Sequence, residues 1–241
     1  MRVMEDFSYL FSQPLPGYAC DITLVIDATE SMASFISDVK ENVLNICAAF
    51  LHVMEECRRD VEHFRVRVIA YRDYAFPDCP PMECSDFFTM PQQEAQLRAF
   101  LSGIETKGGG DEPESALEAL ALAMRSDWTA ESTRRRHIVV LFSDASAAEL
   151  NDPRRTCHPD YPENMPKNME ELSAMWHGTS ETLGGMPDNR WARLVAFGPN
   201  VFPWNELPYW DNVWNCFCKA GKGLQEFDYE IAVMLCVHAC R

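Results

Sequence analysis

The stretch LVIDATESM, residues 24–32, runs from an apolar strand straight into an acid, two hydroxyls and the start of a helix. The residues before it complete the strand, since CDITLVID (20–27) is short, apolar and rich in β-branched side chains, the pattern of a strand covered on both faces. Asp27, Thr29 and Ser31 thus stand at alternate positions where a buried strand meets the surface. Taken singly, each is an ordinary capping residue for a helix beginning near Met32.

Outward from this stretch the chain alternates between two patterns. Phe35, Val39, Val43, Ile46, Phe50 and Val53 recur every three or four residues and mark one face of a long helix. FRVRVIAY (64–71) is strand-like, DFFTM (86–90) reads as a short edge strand, and QQEAQLRAFLSGI (92–104) as a helix ending near Gly103. The loop ETKGGGDEPES follows, then the helix ALEALALAMRS with Leu117, Leu120, Ala121 and Met124 on one side, then RHIVVLFSD (136–144), the clearest buried strand. KNMEELSAMWHG (167–178) is a helix closed by Gly178 at C′, WARLVAFG (191–198) a strand, and LQEFDYEIAVMLCVHAC a terminal helix with Leu224, Phe227, Ile231 and Leu235 inward. The alternation predicts a three-layer α/β fold with a mostly parallel central sheet, one short antiparallel edge strand and helices on both faces. In such sheets function gathers beyond the carboxyl ends of the strands, and Asp27 and Asp144 each end a buried strand.

A length of 241 residues with 47% hydrophobic content fits a single domain spanning 1–241, with 1–19 as an N-terminal extension. Two segments depart from the alternation. Residues 151–190 are polar and proline-rich around one short helix, a long excursion at the edge that carries Asp27 and Asp144. Residues 199–217 set Phe202, Trp204, Tyr209, Trp210, Trp214 and Phe217 between prolines, as a stiffened loop buttressing the core or as an exposed docking patch.

Lys and Arg number 21 against 37 Asp and Glu, and a net charge of −16 argues against a nucleic-acid partner while suiting a cation site or a solvated acidic surface. The first twenty residues lack a continuous apolar core of the signal-peptide kind, and no later segment reaches the ~18 apolar residues that span a bilayer, so the expectation is a cytoplasmic protein with no membrane contact. Ten cysteines then read as thiols. Cys216 and Cys218, or Cys79 and Cys84, with His158 and His238, lack the CxxC spacing of a structural zinc site.

Oxygen donors instead converge on one edge: Asp27, Thr29 and Ser31 after the first strand, Asp111 in the Gly-rich loop and Asp144 after the buried strand. Gly108, Gly109 and Gly110 would let the backbone come close. Such a set suits a hard divalent cation, Mg2+ in first place with Ca2+ or Mn2+ as alternatives, rather than Zn2+. Arg72 and Asp73 read as a structural pair rather than as ligands.

These residues resemble the von Willebrand factor A domains, whose metal-ion-dependent adhesion site combines DxSxS, a distant Thr and a distant Asp after a buried strand. Here the first element stands as Asp27-Ala28-Thr29-Glu30-Ser31 and the last as Asp144 in LFSDAS. The resemblance, over roughly residues 20–240, implies that Thr29 and Ser31 bind metal directly, that Asp27 and Asp144 act chiefly through water, and that a partner protein's acidic residue completes the coordination. Counted back from SALEAL, the Thr position falls on Asp111 of GGGDEPES. That loop and AYRDY (70–74) look like the intracellular branch found in bacterial proteins and beside atypical kinases. A carboxylate there implies tighter metal capture and a weaker pull on an incoming acid.

Other functions compete with this binding module. A haloacid dehalogenase-type phosphohydrolase would also place an Asp at a strand end, yet it needs a second acid where Thr29 stands. A P-loop is disfavoured because KGGGDEPES lacks the GxxxxGK[ST] lysine and follows a helix. A scaffold with a purely structural metal remains the third alternative.

Overall fold

The computed structural model describes residues 17–34, 36–76, 78–108 and 113–218. The terminal helix expected at 224–240 and most of the N-terminal extension lie outside the described residues, as do Phe35 and Asp111.

The strand read from CDITLVID is β1 (Tyr18–Asp27), buried along its whole length. It is covered above and below and flanked on both sides, pairing in parallel with β2 (Val61–Tyr71) and with β5 (Arg135–Phe142). Beyond β5 come β6 (Ala192–Pro199) and β7 (Val213–Cys218), also parallel. The antiparallel edge is made of two pieces on β2, β3 (Met82–Cys84) and β4 (Phe88–Thr89), of which only the second was marked by the 86–90 pattern. The order is β3-β2-β1-β5-β6-β7, with β4 off this path. The chain therefore steps one way from β1 to β2 and the other way from β1 to β5, and the direction reverses between Asp27 and Asp144.

Alternation along β1 divides the interior in two. Cys20, Ile22, Leu24 and Ile26 join a core with α1 (Ile36–Glu56) and α2 (Glu94–Gly103), where Phe50 stacks on Phe64 at 5.4 Å. The helical spacing holds at Val39, Val43, Ile46 and Phe50, while Ile36 and Met54 are buried at its ends and Val53 is only half-buried. On the other face Val25, Val139 and Leu141 pack with α3 (Ala116–Met124) and α5 (Met169–Trp176). Nearly all of α3 is buried rather than one side of it, because α5 from the 151–190 segment covers the face that would otherwise meet water. Gly178 adopts φ +66° just beyond α5, as its C′ position predicts.

The 199–217 segment differs from both of its sequence readings. Trp204 does fill the core and donates its Nε1–H to the Ala145 carbonyl at 2.8 Å, and Tyr209 is exposed. From Val213 onward, however, the chain is a fifth parallel strand rather than a loop, because VWNCFC finds an open edge on β6. Cys47, Cys57, Cys79, Cys84, Cys157 and Cys216 stand as thiols, in line with the reading from the sequence. Among the described residues no helix is long and apolar enough to cross a membrane.

Candidate functional site

β1 and β5 end side by side, with Ile26 in register with Phe142, so the turns that follow them face each other across the reversal point. Asp27 is completely buried. Its Oδ1 accepts from the Thr29 amide at 2.9 Å and the Thr29 hydroxyl at 2.6 Å, and its Oδ2 accepts from the Tyr71 hydroxyl at 3.1 Å. Ser31 stands at the exposed rim, its Oγ 3.0 Å from Thr29 Oγ1 and donating to Asp144 Oδ1 at 3.2 Å. Four of the five residues singled out in the sequence are therefore joined in one chain of oxygens, Asp27 to Thr29 to Ser31 to Asp144, that ties two strand ends together.

The third loop enters on both sides of its undescribed centre. On the near side Lys107 N–H donates to the Ala28 carbonyl at 3.1 Å and Glu30 N–H to the Gly108 carbonyl at 2.9 Å. Gly108 holds φ +69°, and a Cβ there would lie 2.7 Å from Cys79 Sγ, so this approach needs glycine. Lys107 itself pairs with Glu105 at the surface, in keeping with a solvated role. On the far side Ser115 N–H donates to the Arg72 carbonyl at 3.1 Å and Ala148 N–H to the Glu114 carbonyl at 2.7 Å. This clamp carries Glu114 into the site, only 2% exposed, within hydrogen-bonding reach of Asp27 and Thr29. The sequence reading passed over Glu114. The acid sits in DEPES three residues beyond Asp111, but its bridge to Ala147 is a long-range contact with no local signature.

Arg72 and Asp73 are structural, as expected, yet each turns to another partner. Arg72 is buried and pairs with Glu83 at 2.8 Å while donating to the Pro80 and Glu105 carbonyls. Asp73 meets Arg155, with Nε 2.7 Å from Oδ1 and Nη2 donating to Oδ2 at 3.0 Å, and also accepts from the Ser115 hydroxyl at 3.2 Å. The 151–190 segment is thereby pinned to the residue next to Glu114.

Three carboxyls consequently share a buried space, and no cation among the described residues acts on them. Burial, then the Asp144 charge, pushes Asp27 up to about 6; burial, then Asp27, pushes Glu114 up to about 10; burial raises Asp144 as well. Among the described residues no group of three or more His, Cys, Asp or Glu side chains is placed to hold a metal ion. The donor set is of another kind, with two hydroxyls standing between the carboxyls. All its donors are oxygens, and buried Glu114 Oε2 has no hydrogen-bond partner. An unpartnered buried carboxyl oxygen among hard donors fits a divalent cation of the Mg2+ class, which would displace its proton.

A family model described as the von Willebrand factor A domain matches residues 21–155, which run from β1 through α4 (Pro153–Thr156). The alpha-protein kinase vwkA of Dictyostelium discoideum is 25% identical over 141 residues, 58% of this chain and 21% of the kinase. Among solved structures, the proximal thread matrix protein 1 of the mussel byssus superposes with a TM-score of 0.52 at 12% identity, over 92% of this chain and 49% of that one. The pilus adhesin SpaC of Lactobacillus rhamnosus GG, in its open conformation, gives 0.53 at 12% identity, over 95% and 30%. The chain thus spans about a fifth of the kinase's length and half or less of these structures, whose likeness bears on the fold alone. Because the family match takes in β1, the Gly-rich loop and β5 and covers more than half of the 241 residues, the chain belongs to the von Willebrand factor A domain family.

Proposed function

We propose that this domain is a metal-dependent protein-interaction module, not an enzyme, in which a divalent cation, Mg2+ in the first instance, links the domain to an acidic residue of a partner protein. The observation that carries the reading is the continuous oxygen chain from buried Asp27 through exposed Ser31 to buried Asp144, at the sheet's reversal point. Thr29 and Ser31 would hold the ion directly. Asp27 and Asp144 would orient the hydroxyls and the ion's waters, since both Asp27 oxygens already accept hydrogen bonds within the chain. Asp111, from the loop that Gly108 starts, would add a further anionic oxygen. A bound cation brings positive charge to a site that has none, and the partner's carboxylate is attracted to it. The stretches GGGDEPE and Asp27-x-Thr29-x-Ser31 support a reading of the chain as a member of the intracellular branch, beside bacterial and kinase-linked members, and a cytoplasmic setting goes with that reading.

A phosphohydrolase of the haloacid dehalogenase type is the second reading. Asp27 is poorly suited to it as nucleophile, being fully buried with Thr29 and Tyr71 on its oxygens, and Thr29 stands where the leaving-group acid would be. A scaffold whose metal serves only folding is the third. The test is capture of partner proteins on the immobilised domain in Mg2+ and in EDTA, with a Ser31→Ala control. The proposed function requires a partner that is released by chelator and lost in the variant. A partner retained in EDTA points to the scaffold, and Mg2+-dependent hydrolysis of p-nitrophenyl phosphate that disappears in Asp27→Asn points to the enzyme.

A further inference from the structure

Among the described residues, Glu114 is a carboxyl at this site with an unmet requirement. Its side chain is 98% removed from solvent by the surrounding loops, being 2% exposed, yet Oε2 has no hydrogen-bond donor. Leaving a buried carboxyl oxygen unpaired is costly, and placing it against a second carboxyl costs more. The position is enforced by the backbone. Residue 114 is bridged to Ala147, its carbonyl is taken by Ala148 N–H, and the next amide is taken by Arg72. The clamp fixes the backbone from which the side chain enters the site.

The neighbours that would ordinarily satisfy such a carboxyl are committed elsewhere. The Arg72 guanidinium goes to Glu83 and two carbonyls, that of Arg155 to Asp73 and Asp152, and the Lys107 amine to Glu105. The Tyr71 hydroxyl serves Asp27 and the Phe142 carbonyl, and the Thr29 hydroxyl donates to Asp27. What remains facing Glu114 is the rim of oxygens at Thr29 and Asp27.

We propose that Glu114 is a direct ligand of the divalent cation, contributing an anionic oxygen from the third loop alongside Thr29 and Ser31. This rests on the proposed metal-dependent function and refines its chemistry. With Asp27 and Asp144, Glu114 brings three carboxylates to a dication, so the loaded site keeps a net negative charge. The ion is then held tightly and draws an incoming carboxylate less strongly, and the partner's affinity depends more on what surrounds its acid.

The test is isothermal titration of the EDTA-stripped full chain with Mg2+ and with Mn2+, paired with thermal melts in EDTA. The variants are Glu114→Gln, which removes the charge, Glu114→Asp, which keeps the charge but withdraws the oxygen, and Ser31→Ala. A ligand role predicts that both Glu114 variants weaken binding of each ion at least tenfold, by analogy with the loss of supporting groups around metal sites, with no fall in the melting temperature in EDTA. Glu114→Gln and Glu114→Asp binding like the parent, while Ser31→Ala has lost the metal, overturns the ligand role and leaves the metal site standing. Unchanged metal affinity with a lowered melting temperature in EDTA also overturns it, by making Glu114 a strut. A parent chain that binds neither ion overturns this inference together with the proposed function beneath it.

Discussion

Asp21 and Asp27 lie six residues apart on β1, point to the same face and are almost equally buried, yet they live in opposite electrostatic settings. At the amino end of the strand, Asp21 receives Arg65 on both oxygens at 2.8 Å, the Thr129 amide at 2.7 Å and the Thr129 hydroxyl at 3.3 Å. Arg65 is itself braced over the Phe87 ring at 4.4 Å. At the carboxyl end, Asp27 has hydroxyl and amide donors but no cation, and two further carboxyls share its space. The contrast teaches what separates a structural acid from a functional one. The first has its counter-charge within the chain, and the second leaves that place for an ion from outside.

The comparison breaks most visibly at Asp21. Asp21→Ala strands a half-buried arginine and should cost about 2 kcal/mol of stability by urea unfolding, equally in Mg2+ and in EDTA. Asp27→Asn should do the reverse: little or no loss in EDTA, but disappearance of the Mg2+-dependent gain, which for the parent is about 2.7 kcal/mol at a hundredfold excess of ion over its Kd. A Mg2+-dependent effect at Asp21, or an equal loss in both buffers at Asp27, would erase the distinction.

The pH profile sharpens it. In EDTA the folded chain holds protons on Asp27 up to about 6, on Glu118 up to about 7 and on Glu114 up to about 10, all above their ordinary values. The folded state thus binds more protons than the unfolded state above about pH 4, and stability should fall as pH rises from there, with a slope of at most about 1.4 kcal/mol per pH unit for each group. Saturating Mg2+ should remove the share due to Asp27 and Glu114. Glu118, whose Oε1 accepts from the Tyr161 hydroxyl at 3.2 Å away from the site, should keep its share until Glu118→Gln removes it. Denaturant melts from pH 5 to 8 with and without Mg2+ read all of this. The smallest effect is expected from a pair of hydroxyl deletions. Thr129→Val should cost about 1 kcal/mol by chemical denaturation whatever the metal, whereas Thr29→Val should act mainly through the loss of Mg2+ binding in titration.

The buried strands were legible because continuous apolar runs such as RHIVVLF allow little else, and the oxygen donors at their ends were legible because DATES and FSDAS carry them in sequence. Gly178 at the end of α5 was readable for the same local reason. What escaped depends on distant partners. VWNCFC became β7 because β6 leaves an edge open, α3 was buried all round because α5 lies on it, and Glu114 entered the site because residues 114 and 147 bridge. Arg72 and Asp73 were adjacent in sequence and so invited pairing, but the buried guanidinium of Arg155 arrives from 82 residues away to take Asp73.

The central claim is that oxygens at the ends of β1 and β5 hold one divalent cation. Its most direct test is titration of the metal-stripped chain with Mg2+, followed calorimetrically, beside Ser31→Ala, Asp144→Asn and Asp21→Asn. The account predicts a single site in the parent and in folded Asp21→Asn, and no measurable binding in the other two. A parent without binding heat or Mg2+-dependent stabilisation, or Ser31→Ala and Asp144→Asn binding as tightly as the parent, would contradict it.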